Sequence, residues 1–231
     1  GACARIMQGD FAAARAAWPD HPRVEALILM HEGRWTELVE RHPDMAEGHV
    51  ALGDAAAAQQ CGDGRLGHAF AAFAALGRGE AEAARGHLAA AAATFDARVF
   101  RRRLDHLQAW MGAFVAERLG EEGAWRQALV QVRDQARWNN RQRPWYVARY
   151  LLGEIDEATF LAQPFALQAD ADLALLQAVH ADHAGDPGAA DAYRRWLALP
   201  SWRRNLFAPT IEDAFVSWRL TVLEGAEVSP P

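Results

Sequence analysis

The chain of 231 residues contains no lysine, and all 24 of its basic residues are arginine. That absence excludes Schiff-base and pyridoxal-phosphate catalysis and the phosphate-binding lysine of a P-loop. Two cysteines, Cys3 and Cys61, are too few for a disulfide framework or a cysteine-ligated zinc or iron-sulfur centre within one chain. Serine is confined to Ser201, Ser217 and Ser229, with no Gly-x-Ser-x-Gly elbow, which argues against a nucleophilic serine. Runs of β-branched residues in two-residue alternation are missing, and no apolar run approaches the length that spans a bilayer. The N-terminal residues show no charged-then-apolar secretory pattern, so the expected location is cytoplasmic. Gly1-Ala2-Cys3 looks like the end of a lipoprotein cleavage box, which makes a periplasmic or lipid-anchored location the alternative if a signal preceded Gly1.

Alanine dominates what is present, with 51 residues in a chain that is 51% hydrophobic. Hydrophobic spacing is helical almost throughout and predicts an all-α chain. Predicted helices cover 11–17, 23–32, 34–41, 45–60, 64–76, 80–94, 97–119, 122–139, 145–152, 157–162, 170–184, 188–198 and 211–222. Gly and Pro punctuate them at Pro19, Gly33, Pro43, Gly62, Gly77, Gly120, Pro144, Gly153, Pro164, Gly185 and Pro200. Short links between helices of this length predict stacked antiparallel helical hairpins.

A small-residue turn followed by a helix recurs: Gly9-Asp10 with Ala14, Gly33 with Trp35 and Leu38, Gly62-Asp63 before Ala69, and Gly185-Asp186 with Ala190, Tyr193 and Leu197. Gly reverses the chain, Asp caps the second helix, and the small residue lets the helices approach. With these turns, and with Leu52-Gly53 inside the predicted 45–60 helix, the sequence resembles a degenerate tetratricopeptide-repeat protein. The best unit runs from about 171 to Pro200. Turn glycines at 9, 33, 62 and 79 do not keep the 34-residue period of a regular array, and residues 98–165 show no convincing repeat. The resemblance implies a right-handed superhelix whose concave face receives a partner's peptide or helix, in a scaffold or adaptor role. It also implies one domain over 1–222: degenerate repeats to 97, irregular Arg/Trp-rich helices over 98–165, the best repeat over 166–200, a capping helix over 201–222, and a tail from 223.

Charge is unevenly distributed. Residues 1–97 hold 8 Arg and 13 acids, residues 98–150 hold 11 Arg and 5 acids, and residues 151–231 hold 5 Arg and 12 acids. On the predicted 122–139 helix, Trp125, Leu129, Val132 and Ala136 define a core face. Arg126, Arg133 and Arg137 form a separate stripe that Arg141 and Arg143 extend, followed by Trp145, Tyr146, Arg149 and Tyr150. These nine residues are the candidate partner-binding set. One reading is a groove for an acidic or carboxylate-bearing protein segment, because Arg forms bidentate pairs and stacks on aromatic faces. A second is single-stranded nucleic acid, with aromatics stacking bases; the net charge of −6 argues against it. A third is a solvated face whose arginines pair with acids from the flanking segments.

Weaker signals complete the reading. Tyr193, Arg194 and Trp196 form a second candidate patch. His180 and His183, with Asp182 and Asp186 nearby, have the spacing of a helical metal site and would be the first suspects if the chain were instead a helical-bundle enzyme or small-ligand protein. Leu173 and Leu176 on the same side favour packing histidines, and no cofactor or metal is expected. Gly62-x-Gly64-x-x-Gly67 has the letters of a dinucleotide loop without the preceding strand. Cys61 sits in an interhelical turn, Arg101-Arg102-Arg103 point to three sides of a helix, and a homo-oligomer is compatible with all of this. The overall expectation is a non-catalytic binding module.

Overall fold

The computed structural model describes residues 2–61, 65–94, 104–138, 142–163, 168–204 and 211–225, and the regular elements among them are all helices. They are α1 Ala2–Met7, α2 Phe11–Ala17, α3 Pro22–His31, α4 Trp35–Arg41, α5 Ala46–Ala51, α6 Ala55–Gln60, α7 Arg65–Gly77 and α8 Ala81–Thr94. There follow α9 Leu104–Leu119, α10 Glu122–Trp138, α11 Gln142–Leu151, α12 Glu157–Leu161, α13 Ala169–His183, α14 Ala189–Ala198, α15 Ser201–Arg204 and α16 Ile211–Leu223. The all-α expectation holds. Among the described residues, no helix is long and apolar enough to cross a membrane.

One turn generates the pairing of these helices. Gly9, Gly33, Gly53, Gly79, Gly120, Gly153 and Gly185 all have φ between +66° and +78°, where a Cβ would be strained. Each follows an odd-numbered helix, from α1 to α13. In every case the residue after the glycine donates its N–H to the carbonyl five residues back at 2.9 Å: Asp10 to Arg5, Arg34 to Leu29, Asp54 to His49, Glu80 to Ala75, Glu121 to Ala116, Glu154 to Arg149, and Asp186 to Ala181. This is the Schellman closure, which satisfies carbonyls that the helix end would otherwise orphan. Asp10 and Asp54 then cap the next helix, their carboxylates accepting from Ala13 N and Ala57 N at 3.1 and 2.9 Å. The result is seven successive helix pairs, α1/α2 through α13/α14.

Two sequence-based expectations change here. The continuous 45–60 helix is two, α5 and α6, because Gly53 turns left-handed. Residues 98–165, which showed no repeat by sequence, carry the same turn at Gly120 and Gly153. Turn glycines are spaced by 20 to 41 residues, which hides the repetition from any fixed-period comparison. The expected turn at Gly62 and the triple arginine Arg101-Arg102-Arg103 lie outside the described residues.

Pairs follow one another in contact, and the odd-numbered helices also touch across pairs: α1 with α3, α5 with α7, α7 with α9, and α9 with α11. Close approach is built in by small residues. A Cβ on Gly67 would stand 2.3 Å from Gln59 Cα, and one on Gly112 would stand 2.2 Å from the Trp125 ring. The main core runs from α5 to α16 around Phe70, Phe73, Met111, Trp125, Tyr193 and Phe215.

α16 departs from simple pairing. It packs against α5, α9 and α14, and its aromatic rings reach α7, Trp218 lying 4.7 Å from Phe70 and Phe215 5.0 Å from Phe73. Ile211, Glu212, Asp213, Ala214, Phe215, Val216, Trp218 and Arg219 are all buried, so the first half of the helix is enclosed all round, while Val222 and Leu223 at its end are exposed. The 201–222 segment contains α15 and α16, and α16 is held by helices of distant pairs.

Candidate functional site

The basic segment forms the α9–α10–α11 region. Trp125, Leu129 and Val132 are buried, as the predicted core face requires, while Arg126 is exposed. Arg133 forms ion pairs with Asp134 and with Glu154, just past the Gly153 turn. Arg149 reaches the same Glu154 at 3.4 Å and lies over the Trp145 ring, 4.5 Å from its centroid. Tyr146 packs edge-on against Trp145, centroids 4.9 Å apart. Tyr150 turns toward α12 and packs on Phe160 at 5.2 Å; burial, with Glu157 nearby, pushes its phenol up.

Five of the nine predicted site residues therefore sit in internal contacts: Arg133, Trp145, Tyr146, Arg149 and Tyr150 tie α10, α11 and α12 together. The side chains of Arg137 and Arg143, and Arg141 as a whole, lie outside the described residues. Arg126 is the one that is placed apart. Among the described residues it makes no hydrogen bond or ion pair, and it stands at the rim of a cleft of about 290 Å³.

Three helices build that cleft. α9 supplies Ala113, Phe114, Ala116 and Glu117, α10 supplies Trp125, Arg126 and Leu129, and α11 supplies Leu151, with Leu152 from the turn that follows it. Small residues on α9 leave the space, Trp125 forms a wall where Gly112 lets it approach, and two opposite charges stand at the edge. Glu117 is exposed, and its carboxylate, like the Arg126 guanidinium, makes no ion pair or hydrogen bond among the described residues. Neighbouring arginines differ: Arg85 pairs with Glu82 and Glu121, and Arg133 and Arg149 share Glu154. The volume is at the small end of ligand pockets, enough for one large side chain. Sequence reasoning singled out Arg126 but missed the cleft, whose lining comes from residues up to 39 positions apart.

The second candidate patch is overturned for two of its members. Tyr193 is fully buried, and Trp196 is buried with its Nε1 donating to Ala171 O at 3.0 Å. Arg194 is on the surface, held by Asp191 and, at 2.8 Å, by Glu224. Tyr193 belongs to a buried polar cluster. Arg219 of α16 donates through Nε and Nη2 to both carboxylate oxygens of Asp182, at 2.7 and 2.8 Å, and Tyr193 donates to Asp182 at 3.0 Å. Arg219 also covers the Trp218 ring at 4.8 Å.

The suspected metal residues are dispersed into structural roles. His183 packs on Phe73 at 4.1 Å, and its Nε2 is buried without a hydrogen-bond partner. Burial lowers its pKa to about 4; the adjacent Asp182 opposes this, and Arg219, Arg118 and His180 reinforce it. His180 is exposed beside Phe114, Asp182 is committed to Arg219, and Asp186 accepts from Gly188 N at 2.7 Å. Among the described residues no group of His, Cys, Asp and Glu could hold a metal ion. Cys61 donates to Pro43 O and Ala57 O, and burial, with Asp44, Glu47 and Asp54 nearby, pushes its thiol up, away from a reactive thiolate.

A further polar group fastens α16 at its other end. Arg204 pairs with buried Asp213 and donates to Leu199 O at 3.0 Å. Burial lowers the pKa of His31 to about 4, with Arg204 contributing. No family model, curated protein or solved structure matches the chain.

Proposed function

We propose that this chain is a non-catalytic protein-interaction module of tetratricopeptide-like build, whose partner docks on the α9–α10–α11 face. The recurring Gly-turned helix pairs, with odd-numbered helices touching across pairs, support the superhelical reading. In such an array the odd-numbered helices form the inner wall, and here α16 packs on that wall. A partner helix would compete there with a segment fastened by buried ion pairs. The α9–α11 face presents an open cleft with apolar side chains in its walls and an exposed guanidinium that makes no hydrogen bond or ion pair among the described residues, and that combination carries the proposal. Arg126 offers a planar donor fork to an acidic segment without first having to leave an internal partner.

The test is affinity capture with the intact protein, comparing wild type, Arg126→Glu and Arg23→Glu. Arg23 is likewise exposed but lies on α3, away from the cleft. Partner recovery that falls for the Arg126 variant alone, with unchanged helicity, supports the assignment. Equal recovery from all three places the partner elsewhere.

A further inference from the structure

The cleft beside Arg126 has features that say what enters it, an inference that rests on the docking face proposed above. Its lining is about equally apolar and polar: the side chains of Phe114, Trp125, Leu129, Leu151 and Leu152 give it apolar walls around about 290 Å³ that opens to the surface. An aromatic or branched side chain that enters there is removed from water. The rim carries Glu117 from α9 and Arg126 from α10, and these two groups pair neither with each other nor with any described residue. An acid and a base that flank one opening yet stay apart can each meet an opposite charge from outside.

We propose that the cleft is the anchor site for a peptide segment in which one large apolar side chain stands between a basic and an acidic residue. The apolar side chain fills the cleft, the acid lies in the fork of Arg126, and the base pairs with Glu117. A ligand with only an acid would leave Glu117 facing its backbone, and a purely apolar ligand would desolvate both rim charges without compensation. The pattern also accounts for a guanidinium without a partner among the described residues in a chain of net charge −6, where Arg133 and Arg149 are tied to Glu154.

Fluorescence anisotropy with labelled pentapeptides tests this on the full chain. The probes are Gly-Arg-Phe-Asp-Gly, its Phe-to-Ser form, and the charge-altered forms Gly-Arg-Phe-Arg-Gly and Gly-Asp-Phe-Asp-Gly. The first should bind wild-type protein at least tenfold more tightly than the other three. Arg126→Glu should reverse the preference toward Gly-Arg-Phe-Arg-Gly, and Glu117→Arg toward Gly-Asp-Phe-Asp-Gly; a merely unfolded variant would lose every peptide. Ala113→Met, which fills the cleft and spares both charges, should weaken the first peptide about as much as the Phe-to-Ser change does. No measurable peptide binding, or binding indifferent to the charge reversals, overturns the anchor assignment. If partner capture still depends on Arg126 in that event, the docking face stands and the cleft is not its anchor. Equal binding of Gly-Arg-Phe-Asp-Gly and its Phe-to-Ser form also overturns it, leaving a simple electrostatic contact.

Discussion

Replacing Arg219 by Met tests whether the internal position of α16 depends on its buried ion pair. Arg219 and Asp182 have side chains only 10% and 4% exposed, so removing the guanidinium leaves a carboxylate in the core with Tyr193 as its remaining hydrogen-bond donor. Met preserves most of the stem that packs beside Trp218, so the loss isolates the charge. Breaking a buried pair by deleting one partner costs about 3–5 kcal/mol, which for a chain of this size lowers Tm by roughly 6–20 °C. Tyr193→Phe, which removes one hydrogen bond to a charged acceptor, should cost about 1.5–3 kcal/mol. Urea unfolding followed by far-ultraviolet circular dichroism and tryptophan fluorescence measures both. The double variant Arg219→Met with Asp182→Leu should recover most of the loss, because no charge is then left buried. Stability within about 1 kcal/mol of wild type for the single variant, or a double variant as unstable as the two single losses combined, would refute the reasoning.

Gly67→Ala and Gly86→Ala should have opposite effects. The first drives a Cβ into the Gln59 backbone and should cost on the order of 1–3 kcal/mol; the second meets open space in α8 and should gain about 0.5–1 kcal/mol. Asp54→Ala removes the carboxylate that caps α6 and should cost about 1 kcal/mol by denaturant titration. The pKa of His183 is depressed to about 4 in the folded protein from 6.5, so the unfolded chain binds its proton first. Stability should therefore be full above about pH 6.5 and decline as pH falls toward 4. Urea midpoints at pH 7 and 4.5 should show a smaller decline for His183→Phe, and an unchanged decline would assign the effect to other groups.

Much of the helical order was readable from residue spacing, because amphipathic periodicity and Gly punctuation are local properties. The break inside 45–60 was not, since the alanines of α5 and α6 carry a helical pattern straight across Leu52-Gly53. Only the three-dimensional packing shows that Gly53 is a turn like Gly33. The charge pattern gave the kind of pairing but not the partners: arginines of the basic segment do meet an acid of a flanking segment, Glu154, as the third reading had it. Glu154 is 21 residues from Arg133, and nothing in one sequence announces that the two meet. Tyr193 and Trp196 share a helical face with Ala189, a signal for burial that outweighs the polar tips of their side chains. The cleft lay beyond reach because α9, α10 and α11 each present only an ordinary apolar stripe; the void exists only where three stripes fail to close.

α16 also bears on how the molecule comes apart. An array of helix pairs that touch only their neighbours unfolds like a row of weakly linked units, fraying from the ends, with each unit's stability set by the next. Here the last helix of the described chain reaches back across α9 and α7 to α5, and it is latched to α13 by Asp182 and to α15 by Asp213. The terminal pairs cannot loosen without tearing contacts more than 150 residues away in sequence. That long-range closure turns a stepwise ladder into a cooperative ring of contacts from α5 onward, and it raises contact order, slowing folding. The α1–α4 segment has its own small clusters, with Trp35 packed against the main core, and among the described residues no hydrogen bond or ion pair joins it to α16; it should be the first to exchange its amide hydrogens.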